Sequence, residues 1–150
     1  MIKIICVGKM KSYQDELKNY LKQIPHQVQI IEIKDEALEA NIVKEEKAIL
    51  KHLNDNSYIV LLAIEGKQYD SIEFSSKISS LIEQNKEIIF IIGGSYGVTL
   101  EVKKRANELL SFSKMTFPHQ LMRLIFLEQL YRAFKIKENH PYHKWGKLND

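Results

Sequence analysis

The sequence predicts one α/β domain with a parallel sheet covered by helices on both faces. Three observations carry that expectation. Short apolar runs such as IIFII at 88–92 are continuous rather than alternating, as strands buried on both faces require. Segments with helical spacing separate these runs, so strands and helices alternate along the chain. The 150 residues suffice for one compact core and are too few for two ordinary domains.

The elements follow in order. Residues 1–7 read as a first strand, closed by the turn GKMK at 8–11. A helix then runs to about Gln23, with Ser12 or Asp15 as its cap and Leu17, Tyr20, Leu21 and Ile24 on one face. Residues 28–33 alternate as a half-buried strand does, and 35–53 hold a charged helix of weak period. A strongly apolar third strand spans 58–64 and is closed by Glu65-Gly66-Lys67. A helix over 71–83 carries Ile72, Ser76, Ile78, Leu81 and Ile82, and 88–92 form the fourth strand. A helix over 98–109, a short strand over 110–113 and a loop over 114–119 precede a long helix from His119 to Lys137. Met122, Ile125, Phe126, Gln129, Leu130 and Phe134 lie along one side of that helix, offering an apolar surface for a two-fold partner. The tail, 138–150, is polar and aromatic; repeats, linkers and low-complexity segments are missing.

Composition narrows the function classes. Apolar residues make up 45% and charged residues 27%, a globular balance, and no apolar run approaches the ~20 residues of a membrane-spanning helix. The opening burst has no small-residue cleavage site and reads as a strand rather than a signal peptide. The one cysteine, Cys6, cannot form an internal disulfide and reads as a buried thiol of a reducing, cytoplasmic compartment. Residues 1–100 hold 12 Lys/Arg against 14 Asp/Glu, whereas 101–150 hold 10 against 5 and three of the five histidines. A basic final third points to an anionic partner, nucleic acid first, or to a solvated basic surface.

The turn IGGSYGV at 92–98 matches the G-x-S-x-G of a nucleophile elbow through Gly93, Ser95 and Gly97. The remaining machinery does not follow it: Glu128 is mid-helix, and the histidines beyond it, His140 and His143, are in the polar tail. A phosphate loop is also unsupported, since neither the P-loop Lys-Ser pair nor G-x-G-x-x-G is present. Glycines at the carboxyl end of a parallel strand alternatively admit a nucleoside to the main chain.

Four further motifs decide among these. They are LLSFSKMTFPHQLMR at 109–123, EQLYRAFKI at 128–136, PYHK at 141–144 and VGK at 7–9. Together with IGGSYG they resemble the bacterial large-subunit ribosomal RNA pseudouridine N3-methyltransferases of the SPOUT class. The likeness covers essentially the whole chain, dense over 88–144 and loose over 35–57, where this chain looks shorter. It implies a C-terminal trefoil knot over about 88–144, a homodimer, and S-adenosylmethionine (SAM) as methyl donor without a metal. It also implies methylation of N3 of a pseudouridine in a 23S rRNA stem-loop, helix 69, of the assembled ribosome. An inactive knotted RNA-binding or ribosome-associated module is the alternative.

Carried over residue by residue, the resemblance puts Leu62, Gly93 and the run Phe112, Ser113, Lys114, Met115, Thr116, Phe117 around the cofactor, leaving Ser95 a turn residue. The N3 of a uracil-type ring must lose a proton before it attacks, so a base or a cation beside the ring oxygens is needed. His119, Arg132, Tyr142 and His143 are the candidates. Lys9, Lys11, Arg123, Arg132 and Lys144 are the basic residues available to RNA phosphates, with Tyr142 and Trp145 available for stacking. The family is expected to stop near Lys144, whereas this chain continues from Trp145 to Asp150.

Overall fold

A computed structural model describes residues 1–36, 38–94 and 97–144. Ser95, Tyr96 and Trp145 lie outside the described residues, so the turn and stacking expectations placed on them have no structural counterpart. The strands are β1 (Ile2–Val7), β2 (Val28–Ile33), β3 (Tyr58–Gln68), β4 (Ile88–Ile92) and β5 (Glu108–Ser111). The helices are α1 (Gln14–Gln23), α2 (Ile42–Leu50), α3 (Ser71–Glu83), α4 (Leu100–Arg105) and α5 (His119–Lys137), with a 3-10 turn at Glu39–Asn41 before α2. The strands form one five-stranded sheet in the order β2-β1-β4-β3-β5, and every pairing is parallel.

Strand alternation splits the core into two layers. Ile2, Ile4, Cys6, Val60, Phe90, Ile92 and Leu110 face α1, α3 and α5 and pack on Leu17, Phe74, Ile78, Phe126 and Leu130. Ile5, Val7, Ile59, Leu61, Ile89 and Ile91 face the opposite way, onto Ile49 of α2 and Val102 of α4. Both faces are therefore covered, which is why β4 reads as an unbroken apolar run and β1 as one broken only at Lys3. Phe90 and Phe126 centre the first layer, their rings 4.7 Å apart and tilted.

Several sequence expectations need correction. Neither Ser12 nor Asp15 caps α1; the cap residue is Tyr13, at φ 60°, and no side chain bonds the first turn. The charged helix expected over 35–53 is reduced to Ile42–Leu50 behind the 3-10 turn. The residues 65–67 do not close β3, which continues to Gln68 through a register shift against β5. Helix α4 stops at Arg105 because Asn107 joins the sheet: its backbone N–H donates to Ile59 O and its Oδ1 accepts from Ile59 N, both at 2.8 Å. Ile72 and Ser76 of α3 are exposed, and Phe74, Ser75, Ile78 and Leu81 are buried instead. On α5, Phe126, Leu130 and Phe134 belong to the chain's own core and are not an apolar surface left for a partner; Met122 and Ile125 are half-buried.

Candidate functional site

The carboxyl ends of β3, β4 and β5 open into a cleft of about 380 Å³, a volume within the range of small-molecule sites. Its position follows from topology. The chain leaves β3 towards α3 on one face and leaves β4 towards α4 on the other, so the two adjacent strand ends part company. Such switch points leave a crevice that no connection fills. Irregular pairing widens it: β3 is registered with β4 only through Leu61, and with β5 only through Leu62 before the shift to Lys67. Ala63 and Ile64 fall in this unregistered stretch and line the cleft.

Three glycines set its shape. A β-carbon on Gly66 would stand 2.5 Å from the Leu109 carbonyl carbon, so only glycine lets β5 approach there. In the turn after β4, Gly97 N–H donates to Gly94 O at 3.0 Å, and Gly97 has φ 72°. A β-carbon on Gly93 would meet Val98 Cγ1 at 3.0 Å and the Gly97 carbonyl carbon at 3.3 Å. A branched residue there would strain the turn itself, and not only fill space beside a ligand.

Of the residues expected around a cofactor, Leu62, Gly93, Phe112, Met115, Thr116 and Phe117 line this cleft. Ser113 and Lys114 do not. Ser113 shapes the loop: its Oγ accepts from Met115 N at 3.0 Å and its carbonyl accepts from Ser111 Oγ at 2.9 Å. Lys114 is exposed. Sequence reasoning missed Ala63, Ile64, Ile92 and Met122, which also line the cleft. Ile92 and Met122 fall within the motifs at 92–97 and 109–123, which could have flagged them, whereas a strand end bears no local signature of what stands opposite it and nothing marked Ala63 and Ile64.

The four catalytic candidates do not meet at one point of the chain. His119 is exposed at the start of α5, on the rim of the cleft. Arg132 is 13 residues further along the same helix, about 20 Å away at 1.5 Å per residue. There it forms a tight cluster with the tail. Glu128 Oε1 accepts from Arg132 Nε at 3.0 Å, Arg132 Nη2 at 2.7 Å and the Tyr142 hydroxyl at 2.9 Å. The Arg132 guanidinium also covers the Tyr142 ring at 4.7 Å, and Tyr142 meets Tyr131 edge-on at 4.8 Å. Glu128, noted in the sequence only as a mid-helix acid, is thus the hub of the group. Burial pushes the Tyr142 hydroxyl well above the usual tyrosine range, and the Glu128 carboxylate adds to this. Tyr142 therefore keeps its proton and acts as a donor.

Arg132 Nη1 lies 3.1 Å from His143 Nδ1. Arginine has no acceptor, so this contact makes Nδ1 the acceptor and leaves the proton of a neutral imidazole on Nε2. That Nε2 is buried and has no partner among the described residues.

Arg123, counted above among residues free for RNA, is not free. It is 3% exposed, donates from Nη1 to Glu32 Oε2 and from Nη2 to Gly8 O, both at 2.9 Å, and ties the β1–α1 loop to α5. Cys6 lies in the same layer, and burial pushes its thiol up to about 11 although the Arg123 charge opposes the shift. Among the described residues, no group of three or more His, Cys, Asp or Glu is arranged to hold a metal ion, and no helix is long and apolar enough to cross a membrane.

A family model described as "Predicted SPOUT methyltransferase" matches residues 1–143, ending one residue short of Lys144. The chain is similar to the ribosomal RNA large subunit methyltransferase H of Acholeplasma laidlawii, 48% identical over 95% of this chain and 99% of the relative. Proteins of the same name from Bacillus cytotoxicus and Bacillus thuringiensis are 46% identical, again over 95% of this chain and 99% of theirs. Their alignments span 157 positions, more than this chain's 150 residues, so those relatives carry residues that it lacks.

Proposed function

Because the chain belongs to the SPOUT methyltransferases, within the large-subunit ribosomal RNA methyltransferase H family, we propose that it methylates 23S rRNA, using SAM, at N3 of a pseudouridine in helix 69 of the assembled ribosome. The reading includes a cytoplasmic homodimer, a chain acting as one unit over 1–150, and a C-terminal knot over about 88–144. The observation that carries it is the cleft at the β3–β4 switch point, where Gly93, Gly94 and Gly97 after β4 meet Phe112, Met115, Thr116 and Phe117 after β5.

The cleft fits SAM on its own chemistry. Leu62, Ile92, Phe112 and Phe117 offer apolar walls for a flat adenine ring, and the unregistered backbone of Ala63 and Ile64 offers polar groups for its edge. When bound, SAM supplies an electrophilic methyl group on a sulfonium and leaves as a neutral thioether.

The chain's own residues do the rest. The cleft walls hold donor and acceptor in line and exclude water. His119, at the rim, is placed to take the N3 proton. Arg132 stabilises the negative charge that develops on the ring oxygens, with Glu128 holding both it and the Tyr142 hydroxyl in position. A gap of about 20 Å along α5 separates these groups from the rim of their own cleft. The homodimer answers this gap: a two-fold partner brings one copy's tail to the other copy's cleft.

The test is mass spectrometry of 23S rRNA from ribosomes lacking the mark, after incubation with purified protein and SAM. A methyl group on the pseudouridine N3 is expected. Ribosome binding without SAM binding or methyl transfer would establish the inactive module instead.

A further inference from the structure

We propose that a second groove, between the β1–α1 loop and the start of α5, binds a phosphodiester of the RNA strand that bears the target nucleotide. This rests on the function proposed above and adds where the strand is held. The groove, about 730 Å³, is bordered by Lys9 and Lys11, by Lys34 and Asp35 after β2, and by the first turn of α5.

Its chemistry suits a phosphate. Lys9, Lys11 and Lys34 are exposed, against the one carboxylate of Asp35 among the lining residues. Helix α5 is 19 residues long and starts without a side-chain cap or an acidic residue in its first turn. Met122 N–H is the first to find a helical acceptor, at Pro118 O, so the amides of His119, Gln120 and Leu121 point outward at the positive end of the helix dipole.

The site is also built rather than loose. Gln120 Oε1 accepts from Lys11 N at 3.0 Å and Ser12 N at 2.6 Å, and the buried Arg123 holds Gly8 O. Lys9 and Lys11 therefore stand on a pinned loop. Arg123, its charge paired with Glu32, lines the groove, and its buried Nε has no partner among the described residues, one donor unspent.

Position gives the groove its purpose. His119 borders both the groove and the cleft. Only β4 separates β1 from β3, which puts the two openings about 10 Å apart at ordinary strand spacing. A strand gripped here presents its neighbouring base to the cleft.

The test measures anisotropy of a fluorescein-labelled oligouridylate between about 50 and about 200 mM salt. Lys9→Gln, Lys11→Gln and Lys34→Gln combined should lower the slope of log K against log salt by about 2, from three contacts at about 0.7 each. SAM affinity, read by calorimetry, should stay within about twofold because none of the three lines the cleft. A control triple, Lys18→Gln, Lys22→Gln and Lys86→Gln, should leave the slope unchanged. An equal drop in the control, an unchanged slope in the groove variant, or no binding by the wild type would overturn the proposal. Displacement of the oligonucleotide by inorganic phosphate at matched ionic strength would also overturn it, by marking a free-phosphate site. A lowered slope in a protein that transfers no methyl group to ribosomes would keep the groove and discard the function proposed for the cleft.

Discussion

Glu128 accepts both Nε and Nη2 of Arg132 on a single carboxylate oxygen, at 3.0 and 2.7 Å, and so fixes the plane of the guanidinium. Side chains of the pair are 16% and 18% exposed, so the contact is far better shielded than an ordinary surface pair. Glu128→Gln should cut methyl transfer by about tenfold or more, the scale of one lost charge-assisted contact. SAM affinity should be unchanged, since Glu128 is not part of the cleft. Equal loss of SAM affinity and turnover would show that the variant merely unfolds.

Gly66→Ala places a methyl group against the Leu109 main chain, where a flexible side chain cannot give way. Overpacking of this kind costs about 1–3 kcal/mol. Urea denaturation should register that loss, and calorimetry should register weaker SAM binding as β5 shifts. An unchanged urea midpoint would remove Gly66 from any role in shaping the cleft.

Glu108 gives a pH dependence with a definite sign. Burial raises its pKa, but hydrogen bonds from Tyr69 and Tyr58 and the Lys77 charge outweigh burial and hold it below the usual 4.5. A depressed carboxyl stabilises the fold above its unfolded pKa and loses that contribution as pH falls through the folded value. Wild type should therefore lose stability below about pH 4.5 more steeply than Glu108→Gln. Parallel acid-unfolding curves would contradict this.

Cys6 is fully buried and its thiol is pushed up to about 11, so the thiolate is scarce at neutral pH. Iodoacetamide should label it only after denaturation. Rapid labelling of the native protein would mean that β1 opens locally.

Ser95→Ala should leave methyl transfer within a few-fold of wild type, because the proposed reaction forms no serine adduct. Gly93→Val should lower both thermal stability and SAM affinity, since its side chain meets Val98 and Gly97 first. A silent glycine change beside an abolishing serine change would reverse the reading of this turn.

Continuity of apolar runs made β1 and β4 legible, and the periodicity of α5 gave both its ends, His119 and Lys137. The boundaries that misled involve partners distant in sequence. Asn107 leaves a helical pattern because Ile59 offers it sheet bonds, and Glu65-Gly66-Lys67 looks like a turn until β5 lies beside it. The cleft was legible where the resemblance names it, at Leu62, Gly93 and Phe112. It was illegible at Ala63 and Ile64, which look like any strand residues until the fold turns them towards the same space. Arg123 failed for the opposite reason: a charge reads as surface unless its buried partners, Glu32 and Gly8, are known to be near.

The strand order has a consequence for how the chain is made. Ile2 pairs with Ile88, so the sheet's β1–β4 seam joins residues 86 positions apart, and the β5 edge is added only once Ser111 is available. Parallel strands admit no hairpin shortcut, and pairings of such long range close slowly. The nascent chain therefore has little to assemble early beyond the β1–α1–β2 unit, and β1 and β3 wait for the apolar fourth strand that joins them. Completion falls after synthesis has nearly ended, so refolding in vitro should be slow relative to helical proteins of equal length.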